Sequence, residues 1–329
     1  MTDGIVLLAK QPGLTSFSSL YDVKKALGTN KVGHTGTLDS FAQGLLVVCT
    51  GRLTKLAGNI TEFDKDYRAV IAFGKETDTL EYTGNVIRET ELPTEKALSD
   101  AVKNHTGKLM QIPPVFSAIH VDGKRASDLA RKGQTAELPS RPITVYKADL
   151  IEIKKDDRGL VTHCMIDFSV SKGTYIRSLA RDIAAECGSS GHLLGLYRTR
   201  IGNFSIDDAA GKQFIKDFTI NGCIKESAEV QLNCRNEMKQ ITVQKEILEK
   251  MKQFDEETAK LCGFVPVHIN SRFEQDFRNG KPVLKSWFAE CMSSMSVSAC
   301  AAVFTGSSVF CGLIEKKDSK RFNYRFVIN

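Results

Sequence analysis

Apolar and polar positions along this chain repeat with two different periods. Residues 5–9, from Ile5 to Ala9, form an apolar run broken by Pro12-Gly13, which predicts a buried strand followed by a turn. Leu20, Val23 and Leu27 then fall at helical spacing, with Thr15 or Ser16 as a cap and Gly28 as a stop. Leu45 to Cys49 reads as a second buried strand. Tyr67, Ala69, Ile71 and Phe73 alternate with Arg68, Val70 and Ala72, which predicts a strand ending at Gly74. A helix is expected near 94–105. Cys164, Ile166, Phe168 and Val170 share one face of a further strand. After Ser171-Lys172-Gly173, the residues Ile176, Leu179, Ala180, Ile183, Ala184 and Cys187 return to helical spacing up to Gly188, with Arg177 off that stripe near the helix start. Beyond Ile206 the pattern changes. Ile247, Leu248, Met251 and Phe254 mark a helix, and short strands are predicted at 264–269, 297–304, 309–314 and 324–328, the spacing of a small β-rich domain or barrel.

Composition narrows the possibilities without choosing among them. A chain of 329 residues is long for one compact core, so two domains are expected. With 42% hydrophobic and 26% charged residues it has the make-up of a soluble globular protein. No run of about eighteen apolar residues predicts a membrane span, and the start, "MTDGIVLLAKQPG", has no basic region and no small-residue cleavage site. A cytoplasmic protein without membrane partners is expected. Nine scattered cysteines with no C-x-x-C pair point to buried reduced thiols rather than a disulfide framework or zinc site. The formal charge of +6 permits a polyanionic partner and does not demand one.

Two stretches carry chemistry. "GHTGTLD", 33–39, places Asp39 at the end of a run of small residues, just before the apolar strand and five residues after His34. Turn formation alone would use such residues; a nucleophile or base on a loop held by a rigid scaffold is the sharper reading. "QIPPVFSAIHVDGKRASDLARKGQ", 111–134, has two adjacent prolines that fit neither a helix interior nor a central strand, so an irregular excursion is expected. Its Lys124, Arg125, Arg131 and Lys132 suit a phosphate backbone.

Four segments in register resemble one family, the TruB-type tRNA pseudouridine synthases. They are "GHTGTLD"; "DKDYRAVIAFGKETDTLEYTGNV" at 64–86; the proline-bearing segment at 111–134, similar to the family's thumb insertion, with "RPITVY" following at 141–146; and "SKGTYIRSLARDIAAECGSSGHLLGLYRTRIGNF" at 171–204. More loosely, "FRNGKPV" and "AVFTGSSVFCGLIE" resemble a PUA-type RNA-binding barrel. Three departures stand out: Ser40 in place of a proline, "KQPG" in place of K-P-x-G, and Glu81 in place of an aspartate.

The resemblance implies a set of roles. Asp39 is the nucleophile. Arg177, always charged and able to bind a carboxylate through two nitrogens, keeps it ionised and oriented. Tyr67 stacks on the uracil and its hydroxyl helps remove the ring proton. Tyr175 and Leu196 wall the pocket, and Lys10 belongs to the substrate-binding set. His34 fills the space left when the target base flips out, a step costing a few kcal/mol of stacking. Lys124, Arg125, Arg131, Lys132 and Arg141 grip the tRNA. Isomerisation involves no redox step, so neither cofactor nor metal is expected, and no P-loop, G-x-G-x-x-G or H-E-x-x-H motif occurs.

The expected architecture is α+β: a mixed, largely antiparallel sheet with flanking helices over 1–215, a helical connector over 216–255, and a PUA-like barrel over 256–329. The expected activity is formation of pseudouridine in the TψC loop of tRNA by a monomer. Two rivals are an RNA-folding chaperone in which catalysis is secondary and a guide-dependent rRNA pseudouridine synthase. The thumb-like segment argues against the latter.

Overall fold

The structure is a computed structural model describing residues 3–328 except 118, 122, 134–137, 229–236, 290–291, 293–294 and 319–320. Positions 118, 122 and 134 of the thumb-like segment, part of the connector and the cysteines at 234 and 291 thus lie outside the described residues.

The first strand is Ile5–Lys10, and the helix after it is Ser16–Leu27. The Thr15 side chain accepts from the Ser18 N–H at its start, and Gly28 ends it at φ 59°. Leu20, Val23 and Leu27 are buried, as the spacing predicts. The helices Glu95–Asn104 and Ile176–Glu186 also form where their patterns place them. Thr94 caps the first. At the second, Gln111 takes the capping role from outside the helix: its Oε1 accepts the Tyr175 N–H at 2.8 Å, and its Nε2 donates to the Tyr175 carbonyl at 3.1 Å.

Nine strands among the described residues form one mixed sheet. Its main path runs Ile5–Lys10, Gln43–Thr50, Gly191–Ile201, Lys65–Phe73, Val161–Val170, Arg141–Lys155, Gly107–Gln111. Val32–His34 and Phe204–Ser205 pair off this path. All these neighbours are antiparallel except Gln43–Thr50 against Gly191–Ile201, where Arg198 lies opposite Gly44. That contact demands a glycine. Gly44 sits at φ +120°, and a Cβ there would meet the Arg198 carbonyl oxygen at 2.3 Å.

On one side, Leu98 and Ala101, with Leu179, Ala180 and Ile183, pack against Ala69, Ile71, Ile166 and Phe168. The central strands are covered on both faces. Residues 69–73 are therefore buried without interruption, where simple alternation predicts a half-exposed strand. A second cluster runs from Ile5, Leu7 and Phe204 into Phe254, Phe264, Phe304 and Phe310, so the C-terminal sheet shares a core with the first strands.

That C-terminal sheet has four strands: Val265–His268, Cys300–Phe304, Phe310–Lys316 and Phe322–Val327. Among the described residues it is open rather than the closed barrel expected. Val265–His268 pairs in parallel with Cys300–Phe304, and beyond it only an isolated bridge from Ile269 to Phe288 extends the sheet, so no strand among the described residues joins this edge to Phe322–Val327. The connector helix is Glu237–Lys250; Ile247 is buried in it, but Leu248 is exposed, off the predicted apolar face. Among the described residues no helix is long and apolar enough to cross a membrane. Five of the seven described cysteines are buried.

Candidate active site

The stretch from Thr35 to Ala42 has no regular secondary structure. It must satisfy its backbone polar groups in some other way, because Thr35, Leu38 and Ala42 are buried. Side chains from three other elements supply the donors. Ser16, at the start of the first helix, donates from Oγ to the Leu38 carbonyl at 2.9 Å and accepts the Leu38 N–H at 2.8 Å. Lys10, at the end of the first strand, donates from Nζ to the carbonyls of Ala42 at 2.5 Å, Ser40 at 3.2 Å and Gln11 at 3.1 Å. Arg198 donates to Gly36, Thr37 and Leu45. The loop is irregular and tightly tied.

Asp39 projects from that loop onto Arg177. Nη2 of Arg177 donates to Oδ1 at 3.1 Å, and Nε lies 3.0 Å from Oδ2. The Nε contact is close enough for charge attraction, but its N–H direction misses the oxygen, so it forms no hydrogen bond. The expected two-nitrogen grip is thus one hydrogen bond and one electrostatic contact. Arg177 is held from two further sides: Nη1 donates to the Thr79 carbonyl and Nη2 to the Phe116 carbonyl, each at 3.0 Å. It therefore joins the nucleophile loop, the turn after the short strand Lys75–Thr77, and the base of the thumb-like segment. Its side chain is 6% exposed against 32% for Asp39, so the carboxylate opens to solvent and the guanidinium does not. Off the apolar stripe of its helix, Arg177 is nevertheless buried, because neighbouring loops cover it.

Tyr67 and Leu196 lie on adjacent strands, with Tyr67 opposite Arg198 and Leu196 opposite Ala69. Both belong to the apolar cluster that contains Leu38 and Phe41, which flank Asp39. Tyr175 stands at the start of the Arg177 helix. Burial raises its hydroxyl above the ordinary value, while Ser117 and the charges of Arg177 and Arg141 work the other way. His34 ends the short Val32–His34 strand beside the loop. Its Nδ1 is buried without a hydrogen-bond partner, and burial, reinforced by Arg198, pulls the ring below its usual value, which favours neutral imidazole.

The electrostatics mix two carboxylates with several cations. Burial raises the Glu81 carboxyl, the Asp39 charge adds to that, and the Thr83 hydroxyl, Arg177 and Lys10 oppose it. Burial likewise pulls Lys10 down to about 7; Asp39 opposes this, Arg198 adds to it and Glu81 opposes it. At 1% exposure Lys10 stands behind the loop rather than facing outward. Its ammonium is taken up by the carbonyls of Ala42, Ser40 and Gln11, which braces the loop.

The basic residues of the thumb-like segment stand on short elements of their own. Lys124 and Arg125 form half of a two-stranded ribbon with His120–Val121, and the helix Ala126–Ala130 follows. Lys124, Arg125, Lys132 and Arg141 are exposed, and Arg131 pairs at the surface with Asp128 at 3.1 Å. A pair so exposed contributes little to stability.

Two supporting residues escaped the sequence reading. Arg198 sits in a strand that also carries Arg200, and a charge on a strand reads as solvent-facing unless both faces are covered. Ser16 was read only as a helix cap. The signal available for Arg198 was its place two residues after Leu196, close behind the apolar stretch that begins at Leu193.

A loop carboxylate held by a buried guanidinium, beside a sheet whose central strands are covered on both faces, is a candidate catalytic constellation. Comparison with known proteins gives it a family. The profile of the TruB family pseudouridylate synthases (N terminal domain) matches residues 24–176. The chain is 40% identical over 306 residues to tRNA pseudouridine synthase B of Treponema denticola, covering 86% of this chain and 85% of that one. Against the protein of the same name from Treponema pallidum, identity is 35% over 326 residues, 88% of each chain. A solved Cbf5–Nop10–Gar1 complex contains a chain of the same fold, with a TM-score of 0.67 at 21% identity over 99% of this chain and 85% of that one. The chain belongs to the TruB family of pseudouridine synthases.

Proposed function

We propose that this protein converts uridine to pseudouridine in the TψC loop of tRNA, with Asp39 as the nucleophile. The observation that carries the reading is the Asp39–Arg177 pair, with contacts of 3.0 and 3.1 Å, a half-open carboxylate and a buried guanidinium. A charge-assisted contact of this kind orients the carboxylate towards the space where the substrate would sit. The base–sugar C–N bond breaks, the detached uracil turns within walls formed by Tyr67, Tyr175 and Leu196, and a C–C bond to the sugar replaces it. Any bond made by Asp39 is released again, and the proton lost from the joining carbon is balanced by one gained at the freed ring nitrogen. The Tyr67 hydroxyl assists removal of the proton from the joining carbon. His34, whose Nδ1 has no hydrogen-bond partner, occupies the gap left in the RNA by the flipped nucleotide.

Binding rests on charge and shape. The exposed Lys124, Arg125, Arg131, Lys132 and Arg141 contact phosphates, and structured RNA needs few base-specific contacts beyond the target loop. In this reading residues 1–215 are the catalytic domain, 216–255 a connector, and 256–329 a PUA-like RNA-binding unit. The protein acts as a cytoplasmic monomer, without metal or cofactor.

The deciding experiment incubates the full chain with unmodified tRNA transcript and maps pseudouridine chemically. A single new pseudouridine in the TψC loop supports the reading. Modification elsewhere would reassign the target, and tight binding with accelerated tRNA folding but no product would favour the chaperone reading.

A further inference from the structure

Among the described residues, the largest side chain that is sealed from solvent carries a permanent charge. Arg198 is 1% exposed. Burying a guanidinium costs free energy unless its donors are matched. Its recorded hydrogen-bond partners are all backbone carbonyls: Leu45 to Nε at 2.8 Å, Gly36 to Nη2 at 3.2 Å and Thr37 to Nη1 at 3.3 Å. Gly36 and Thr37 lie at the entrance of the nucleophile loop, and Leu45 lies in the strand that leaves it. One planar group thus ties the two ends of the loop together.

The surroundings bring it there deliberately in structural terms. Gly44 allows the Arg198 backbone its close approach, since any side chain at that position would collide with it. Gly36 stands at φ +146°, a conformation favourable to glycine, and a Cβ there would come within 3.8 Å of Nη1. Tyr67 occupies the register position opposite Arg198 on the neighbouring strand. The strand that bears the pocket wall Leu196 therefore also fixes the loop that bears the carboxylate.

We propose that Arg198 is a positioning residue for the nucleophile: its guanidinium fixes the Gly36 and Thr37 carbonyls to that of Leu45 and so holds Asp39 within reach of both Arg177 and the substrate. The proposal rests on the assignment of Asp39 as nucleophile. Lysine does not reproduce it, because a compact ammonium on a flexible stem lacks the rigid planar fork that sets the Gly36, Thr37 and Leu45 carbonyls at fixed positions relative to one another. Misplacement of a reacting group by about 1 Å costs on the order of a hundredfold in rate.

The test measures single-turnover pseudouridine formation at saturating tRNA for the wild-type protein, Arg198→Lys and Asp39→Asn, recording rate constant and amplitude separately. The expected result for Arg198→Lys is a rate constant lowered about a hundredfold, with tRNA affinity within about threefold and most of the amplitude retained. An unchanged rate constant with reduced amplitude would mean that Arg198 only supports folding, and the proposal would be overturned. Should the lysine variant not accumulate as folded protein, Arg198→Gln carries the same test, since its neutral amide still donates to carbonyls. Product formation by Asp39→Asn at the wild-type rate would instead overturn the nucleophile assignment itself. An inactive Asp39→Asn beside a normal Arg198→Lys would refute this inference alone.

Discussion

The nucleophile loop and the thumb-like segment are both irregular, yet they are built on opposite principles. In the loop from Thr35 to Ala42, carbonyls are taken by side chains from distant elements: Ser16, Lys10 and Arg198. In the thumb-like segment only the base is held from afar, by Tyr175 on Gln111 and Arg177 on Phe116, while its basic stretch makes local contacts such as the Arg131–Asp128 pair and a ribbon of two-residue strands. Chemistry requires a carboxylate held to a fraction of an ångström, so its loop is fixed from several sides at once. Gripping a phosphate backbone requires charge and reach, which exposed side chains on a loosely tied segment provide. Arg177 is the physical link between the two, through the carbonyl of Phe116.

The comparison breaks most decisively at Asp39. Asp39→Asn keeps the shape and removes the nucleophile, so product formation should fall by at least about a thousandfold, as for loss of a catalytic nucleophile. Its affinity for tRNA should stay within a few-fold in a filter-binding or anisotropy assay. A variant turning over at a tenth of the wild-type rate would show that the loop was assigned the wrong task.

Arg177→Lys sharpens the comparison at the link. The variant keeps the charge but not the fork that reaches Asp39, Thr79 and Phe116 together, so single-turnover rates should drop about a hundredfold. A near-normal rate would show that Asp39 is oriented by its loop alone.

The smallest expected effect concerns Lys10. Burial pulls it down to about 7, whereas an unfolded chain holds its lysines near the ordinary 10.5. Between these values the unfolded state binds the extra proton, so this residue makes stability rise with pH through that window. The slope is at most about 1.4 kcal/mol per pH unit. The urea stability of wild type relative to Lys10→Met should therefore increase from pH 7.5 to pH 9. A flat difference would show that the carbonyls of Gln11, Ser40 and Ala42 keep the ammonium charged.

Much of the scaffold was legible because its signals are local. Thr15 and Gly28 bracket the first helix, and the Tyr67 and Ile176 patterns mark their elements. Asp39 and Arg177 could be named because their motifs stood in register with two other segments. The bracing was not legible. Whether Arg198 faces water or three carbonyls depends on strands more than 140 residues away in sequence, as its Leu45 contact across a separation of 153 shows. The exposure of Leu248 and the open C-terminal sheet were hidden for the same reason: which face is covered is decided by tertiary contacts. The buried, braced position of Lys10 likewise depends on where Ser40 and Ala42 fold back.

The division of labour itself is tested most directly on the double variant Lys124→Ala with Arg131→Ala, by measuring two quantities on one preparation. The first is the slope of log affinity for tRNA against log salt; the second is the single-turnover rate at saturating tRNA. Each phosphate contact removed takes roughly one unit from the slope, so the pair should flatten it by about two and leave the rate unchanged. An unchanged slope with a depressed rate would contradict the account, because the exposed segment would then serve the chemistry and not the grip.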